Sequence, residues 1–125
     1  VETGNRRLIN SMEIEEMYNC IIRALEDKKA KDLKVIDIRE LTTIAYYFII
    51  CSGTSNTHIK TLADEVEYKL KEKDIRPLRR EGYNSARWVL LDYGDIVVHI
   101  FHEEDRSFYN LERLWQDGKV IPPRE

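Results

Sequence analysis

Residues 88 to 101 read WVLLDYGDIVVHIF, two apolar runs separated by a break that contains glycine, and no other stretch constrains the fold as much. Gly after an aromatic residue suits a tight primed turn. Tyr93 and Gly94 are therefore expected to be the two turn residues of an antiparallel hairpin with arms from Arg87 to Asp92 and from Asp95 to Phe101. In that register Asp92 faces Asp95 and Trp88 faces His99. Side chains alternate across a strand, so the hairpin sorts into two unlike faces. Val89, Leu91, Ile96, Val98 and Ile100 form a purely aliphatic face that must be core. Trp88, Leu90, Val97, His99 and Phe101 form the other, with both Asp at the turn end, and this amphipathic face is where function is expected.

The elements before the hairpin supply the rest of a layered domain. Ile14, Met17, Tyr18, Ile21 and Leu25 fall on one helical stripe between Glu13 and about Lys29, with Ser11 as its expected cap. Val35 to Arg39 alternates as a half-buried strand does. Tyr46 to Cys51 is a continuous apolar run bounded by Ser52 and Gly53, the pattern of a strand buried on both faces and hence central. After Gly53-Thr54-Ser55 comes the strongest helix, with Ile59, Leu62, Ala63, Val66 and Leu70 on one stripe, ending near Asp74. Pro77 confines Ile75 to Glu81 to a short edge strand leading into Gly82. A last helix is expected from about Asp105 to Gln116, with Phe108, Leu111, Leu114 and Trp115 on one face and Gly118 as its stop. Strand, helix, strand favours a parallel pair and the hairpin adds antiparallel strands. The expected fold class is therefore α/β, a mixed sheet packed with helices. One domain over residues 13–116 accommodates all of this, with 1–12 and 117–125 as terminal tails.

Composition excludes several function classes. A formal charge of -3 and a sequence pI near 5.7 argue against a surface that neutralises phosphates, so little direct nucleic-acid contact is expected and a basic protein partner suits better. Cys20 and Cys51 form neither a metal motif nor a disulfide framework, and as reduced thiols they point to a cytoplasmic location. No apolar run reaches the length of a membrane span.

Chemistry finds no convincing home. The Gly53-Thr54-Ser55 turn leads from a buried strand into a helix, a setting in which backbone N–H groups hold anions. Nucleotidyltransferases use a similar turn, but they also need two alternating carboxylates on a following strand to hold metal ions. That pair is missing, since Asp92 and Asp95 sit across a turn after another helix and strand. His99 and His102 are three apart on one strand and point to opposite faces, so they cannot chelate together. His58, at a helix start, reads as a surface or capping residue, and Cys51 as an inert buried thiol. The run His102-Glu103-Glu104-Asp105 places negative charge before a helix N-terminus. No catalytic residue, metal site or cofactor is expected. Trp88 reads in two ways: as ordinary core with Leu90 and Val97 if a helix covers its face, or, with its aliphatic neighbours and an acidic rim from Glu81, Asp92 and Asp95, as a protein-binding hot spot.

The series AYYFIICSGTS, EGYNSARWVLLDYGDIVVHIF and RSFYNLERLW resembles the Iojap family of ribosomal silencing factors (RsfS). The resemblance spans about residues 13 to 116 and is carried by Glu81-Gly82, Trp88-Val89, Asp92, Gly94-Asp95, His99, Arg106, Tyr109 and Leu114-Trp115. It implies an α/β fold related to nucleotidyltransferases without their catalytic acids, and a non-enzymatic activity. Family members bind the large ribosomal subunit through ribosomal protein uL14 and so block joining of the small subunit, which represses translation. Carried over by position, the implied partner-binding surface is Trp88, Leu90, Asp92 and His99, with Glu81 and Asp95 as rim and Arg106 and Tyr109 as neighbours. The resemblance also implies a homodimer when the protein is free. Where the family usually has an Asp before the aromatic that opens the buried strand, this chain has Tyr46. An assembly factor for the large subunit would need the same docking face, and a nucleotidyltransferase-type enzyme is the remaining alternative.

Overall fold

The computed structural model describes residues 2–39, 45–105 and 119–121, and the side chains of 13–39 and 45–105 among them. Helix α1 spans Glu2–Asp27 and is followed by β1 (Lys31–Asp37), β2 (Tyr47–Gly53), α2 (Asn56–Lys71), β3 (Arg79–Glu81), β4 (Trp88–Asp92), β5 (Ile96–His102) and β6 (Lys119–Ile121). The strands form one mixed sheet in the order β3-β4-β5-β2-β1-β6. From β2 the chain crosses through α2 to the sheet edge at β3, then folds back through β4 to place β5 parallel to β2. The α/β class and the central position of the apolar run are as the sequence implies.

Both helices pack on one face of the sheet. Ile14, Met17, Ile21 and Leu25 of α1 and Ile59, Leu62, Val66 and Leu70 of α2 share a core with the aliphatic hairpin face, Val89, Leu91, Ile96, Val98 and Ile100. The α2 stripe is fully buried as its spacing requires. Its start is set by Ser55, whose hydroxyl accepts from the His58 backbone N–H at 3.0 Å. On the other face a smaller cluster joins Ile36, Ile38, Ala45, Ile50, Val97 and Phe101, with Phe48, Trp88 and Leu90 packed against it.

Several boundaries differ from expectation, each for a physical reason. Helix α1 continues N-terminally past Ser11, which therefore lies inside the helix and does not cap it. Strand β1 begins at Lys31 through a bulge between Lys31 and Lys34 and stops at Asp37. Arg39 is not a strand residue: its guanidinium turns back onto the buried Asp37 carboxylate, with Nη2 to Oδ2 at 2.6 Å. Strand β3 is only Arg79–Glu81, exposed on both faces. Strand β6 pairs antiparallel with β1 in a segment where no element was expected. The expected last helix, with Phe108, Leu111, Leu114 and Trp115, lies outside the described residues.

The hairpin register is offset from the expected one by two positions. Trp88 faces Phe101, Leu90 faces His99 and Asp92 faces Val97. The turn residues are Gly94 and Asp95, because the Tyr93 N–H bonds the Ile96 carbonyl at 2.9 Å and Tyr93 itself is drawn into the core at 3% exposure. Gly94 takes φ +89° at the first turn position, where a residue with a side chain is strained. The Asp92 carboxylate accepts from the Gly94 N–H at 2.8 Å and holds the turn closed. A shift of two preserves the side-chain period, so the strand residues keep their expected faces, while Asp95 moves into the turn.

Tyr93 carries a further consequence. Its hydroxyl is buried with no hydrogen-bond partner among the described residues, and burial, with the Glu67 carboxylate nearby, pushes the phenol well above its usual range. A buried donor without a partner forfeits its desolvation cost. Tyr93→Phe is therefore expected to unfold at equal or higher denaturant concentration, gaining up to about 1 kcal/mol by urea titration. A loss above about 1 kcal/mol would show that the hydroxyl is satisfied.

Candidate functional site

The sheet face opposite the helices is built from alternate residues of neighbouring strands. Strand pairing brings Trp88, Leu90 and Asp92 of β4 beside Phe101, His99 and Val97 of β5, and Arg79 and Glu81 of β3 beside Asp92 and Leu90. Phe48 and Ile50 of β2 extend the same face past Val97 and His99. The face is closed in part. Phe101 and Ile50 are fully buried and Val97 nearly so, whereas Trp88, Leu90, Phe48 and Asp92 are half-buried. Among the described residues, the partly open positions of this face are therefore Trp88, Leu90 and Asp92 on β4, the exposed Arg79 and Glu81 on β3, and Phe48 on β2.

Trp88 is held there by two aromatic neighbours, Phe101 and His99, and Phe48 backs the His99 ring. Its ring stacks on Phe101 with centroids 5.0 Å apart, and its indole N–H donates to His99 Nδ1 at 3.2 Å. Phe48 lies 4.9 Å from the His99 ring on the other side. Such contacts fix the indole in one rotamer before any partner arrives, which lowers the entropy cost of docking on it. His99 must keep a lone pair on Nδ1 to accept from the indole, so its proton resides on Nε2.

Burial pushes the His99 imidazole down from 6.5 to about 4, with the Asp92 carboxylate opposing weakly. The folded protein therefore holds His99 neutral, whereas the unfolded chain takes up a proton near pH 6.5. Stability from this group is complete above pH 6.5 and is lost as pH falls toward 4. The loss amounts to about 2 kcal/mol by pH 5. Denaturation at pH 7 and pH 5 tests this against His99→Gln, whose amide oxygen accepts the indole N–H without titrating. The wild type is expected to lose about 2 kcal/mol more than the variant, and equal losses would show that His99 is not buried neutral.

The rim is mixed in charge, where an acidic one was expected. Arg79 lies on the same face, with Nη1 3.0 Å from Glu81 and Nε 3.4 Å from Asp92. Sequence reading missed it, although its position two residues before Glu81 puts it on that face of a strand. Asp95 is not part of this rim. Its carbonyl accepts from the Tyr46 and Tyr47 N–H groups at 2.7 and 3.2 Å, tying the turn to β2, and the residue lines a cavity toward the helices. Tyr46, where the resemblance leads one to expect an Asp, thus contributes its backbone N–H. Arg106 and Tyr109 lie outside the described residues.

The turn before α2 is closed on itself. His58 is neither a simple surface residue nor the cap: its Nδ1 accepts from the Thr54 N–H at 2.9 Å and its Nε2 sits 2.7 Å from the Lys28 carbonyl. The ring thereby stitches the end of α1 to the start of α2. With the Thr54 N–H committed to His58 and the Ser55 hydroxyl to the His58 N–H, the turn spends on itself groups that would otherwise face an anion. The acidic run after β5 is likewise committed. Arg87 binds Asp105 through Nε at 2.6 Å and Nη2 at 3.0 Å, and reaches Glu104 at 3.5 Å. That fork holds the Asp105 carboxyl below the usual carboxylate range.

Comparison with known proteins gives one consistent result. The family model described as "Ribosomal silencing factor during starvation" matches residues 11–125. The chain is 44% identical over 97 residues to the ribosomal silencing factor RsfS of Bacillus subtilis, covering 78% of this chain and 82% of that protein. It is 39% identical over 110 residues to the RsfS of Halalkalibacterium halodurans, covering 88% and 94%. A crystal structure of a Chromobacterium violaceum protein superposes with a TM-score of 0.79 at 41% identity, covering 82% of this chain and 85% of that one. Among the described residues no helix is long and apolar enough to cross a membrane.

Proposed function

The chain belongs to the family of ribosomal silencing factors, and from that premise we propose that it represses translation by docking its Trp88 face on the large ribosomal subunit. The contact is made with ribosomal protein uL14, and the bound protein occupies space that the small subunit needs. The observation that carries this reading is a half-buried Trp held rigid by His99 and Phe101 beside Leu90, with charged residues around it. Central, desolvated aromatic anchors inside a polar rim supply most of the energy in protein interfaces. An interface on the order of 800 Å² per partner suffices for a specific complex.

The activity needs no bond chemistry and no cofactor. Steric exclusion asks only for affinity and bulk, and the commitment of the turn before α2 to its own hydrogen bonds supports a binding role over nucleotide handling. Glu81, Asp92 and Asp95 were expected to draw a basic partner. Because Arg79 lies between Glu81 and Asp92, steering by this rim is modest, and the on-rate should depend only weakly on salt.

Co-sedimentation of the purified protein with isolated large subunits, beside titration of purified uL14, tests the reading. Saturable binding to both is the expected result. Binding to subunits without binding to uL14 would move the contact elsewhere on the ribosome, and failure to bind either would remove the proposal.

A further inference from the structure

A second surface lies on the helix side of the sheet, where α1, the connection between α2 and β3, and the Gly94 turn meet around a cavity of about 490 Å³. Ile14, Met17 and Tyr93 form its apolar floor as members of the main core, and the half-buried Ile75 adds to it. Leu78 forms its lip at 67% exposure, one of two large apolar side chains so exposed among the described residues. That exposure is fixed by the fold. The Leu78 N–H donates to the Asp92 carbonyl at 2.7 Å, and a Cβ on Gly94 would come within 3.4 Å of Leu78 Cδ1.

The charge around this floor is lopsided. Glu13, Glu16, Asp74 and Asp95 line the cavity against Lys73 and Arg76, and Arg76 is already paired with Asp74 at 3.7 Å. Among the described residues, four carboxylates against two cations repel an acidic segment and attract a basic one, while the apolar floor and the Leu78 lip favour an inserted aliphatic or aromatic side chain. We infer that this groove docks a short basic amphipathic peptide segment of a partner protein, an apolar side chain seated against Leu78, Ile75 and Tyr93 with Lys or Arg beside Glu13 and Glu16. The groove lies on the sheet face opposite Trp88, so the inference stands independently of ribosome docking through that residue.

The test titrates the 15N-labelled protein with a synthetic peptide of alternating Lys and Leu, beside an all-Lys peptide and a Glu-Leu peptide of equal length. Saturable shifts at Ile14, Ile75 and Leu78 are expected with the Lys-Leu peptide alone. Leu78→Ser, at an exposed position that leaves the core intact, should weaken binding at least tenfold, as should the pair Glu13→Lys and Glu16→Lys. Trp88→Ala should leave it unchanged. Equal binding of the all-Lys peptide, shifts centred on the Trp88 face, or full affinity in Leu78→Ser would each overturn the inference.

Discussion

Trp88→Ala is expected to weaken binding of the protein to large ribosomal subunits by about 2–4 kcal/mol, a loss of roughly 30- to 1000-fold. The indole is half-buried on the sheet face opposite the helices, and it is preset by the Phe101 stack and the His99 hydrogen bond. Removing it strips the apolar centre of the proposed interface and leaves a depression over Phe101. The variant also loses the indole's buried area, its stack on Phe101 and the donor to the buried His99 Nδ1, together about 2–4 kcal/mol of stability. A fold stable by about 5–15 kcal/mol tolerates that loss, so the variant should remain folded at 25 °C while failing to bind, a separation that circular dichroism and co-sedimentation of one preparation measure together. Trp88→Phe distinguishes area from hydrogen bonding: it keeps a ring over Phe101 and should recover most of the affinity. A Trp88→Ala protein that is folded and binds as the wild type does would remove this residue from the interface.

Gly82→Ala is expected to destabilise the fold by about 3 kcal/mol or more, lowering the thermal midpoint by about 10 °C or more. Gly82 ends β3 at φ +81°, and its carbonyl accepts from the Ala86 N–H at 3.0 Å in the tight loop that returns the chain to β4. A Cβ there would lie 2.0 Å from the Trp88 carbonyl oxygen, which is backbone and has no rotamer by which to withdraw. The strain is therefore transmitted to β4 and to the placement of Trp88 itself. Gly94→Ala is the matched control, since it too has positive φ but its Cβ would meet only Leu78 Cδ1, at 3.4 Å. It should cost about 1–2 kcal/mol, the backbone strain alone. Equal losses in the two variants would show that the clash with Trp88 does not set the requirement for glycine at 82.

The particular residues show why part of this was legible in the sequence. The aliphatic and amphipathic faces of the hairpin were readable because a two-residue shift in register leaves the alternation intact. The register itself was not, since choosing the turn required knowing that Tyr93 is drawn into the core against the helices. The α2 stripe and the central β2 strand follow from periodicity and apolar run length, which tertiary contacts reinforce here. Strand β6 gave no signal because Lys119-Val-Ile is too short to show a period and exists as a strand through its pairing with β1. Of the candidate site, Trp88, Leu90, Asp92, Glu81 and His99 meet on one face. Arg79 escaped attention because charge was read by sign and not by strand parity. Asp95 left the face because it is a turn residue, outside the alternation. His58 could not be read as a stitch between helices, since its partner Lys28 lies 30 positions away.

If one bound protein keeps the ribosomal subunits apart, light scattering of subunit joining reads the effect. Large subunits mixed with the wild-type protein before small subunits are added should show a joining amplitude that falls in step with occupancy, while Trp88→Ala leaves it unchanged. Full joining on large subunits that are saturated with wild-type protein would contradict the account.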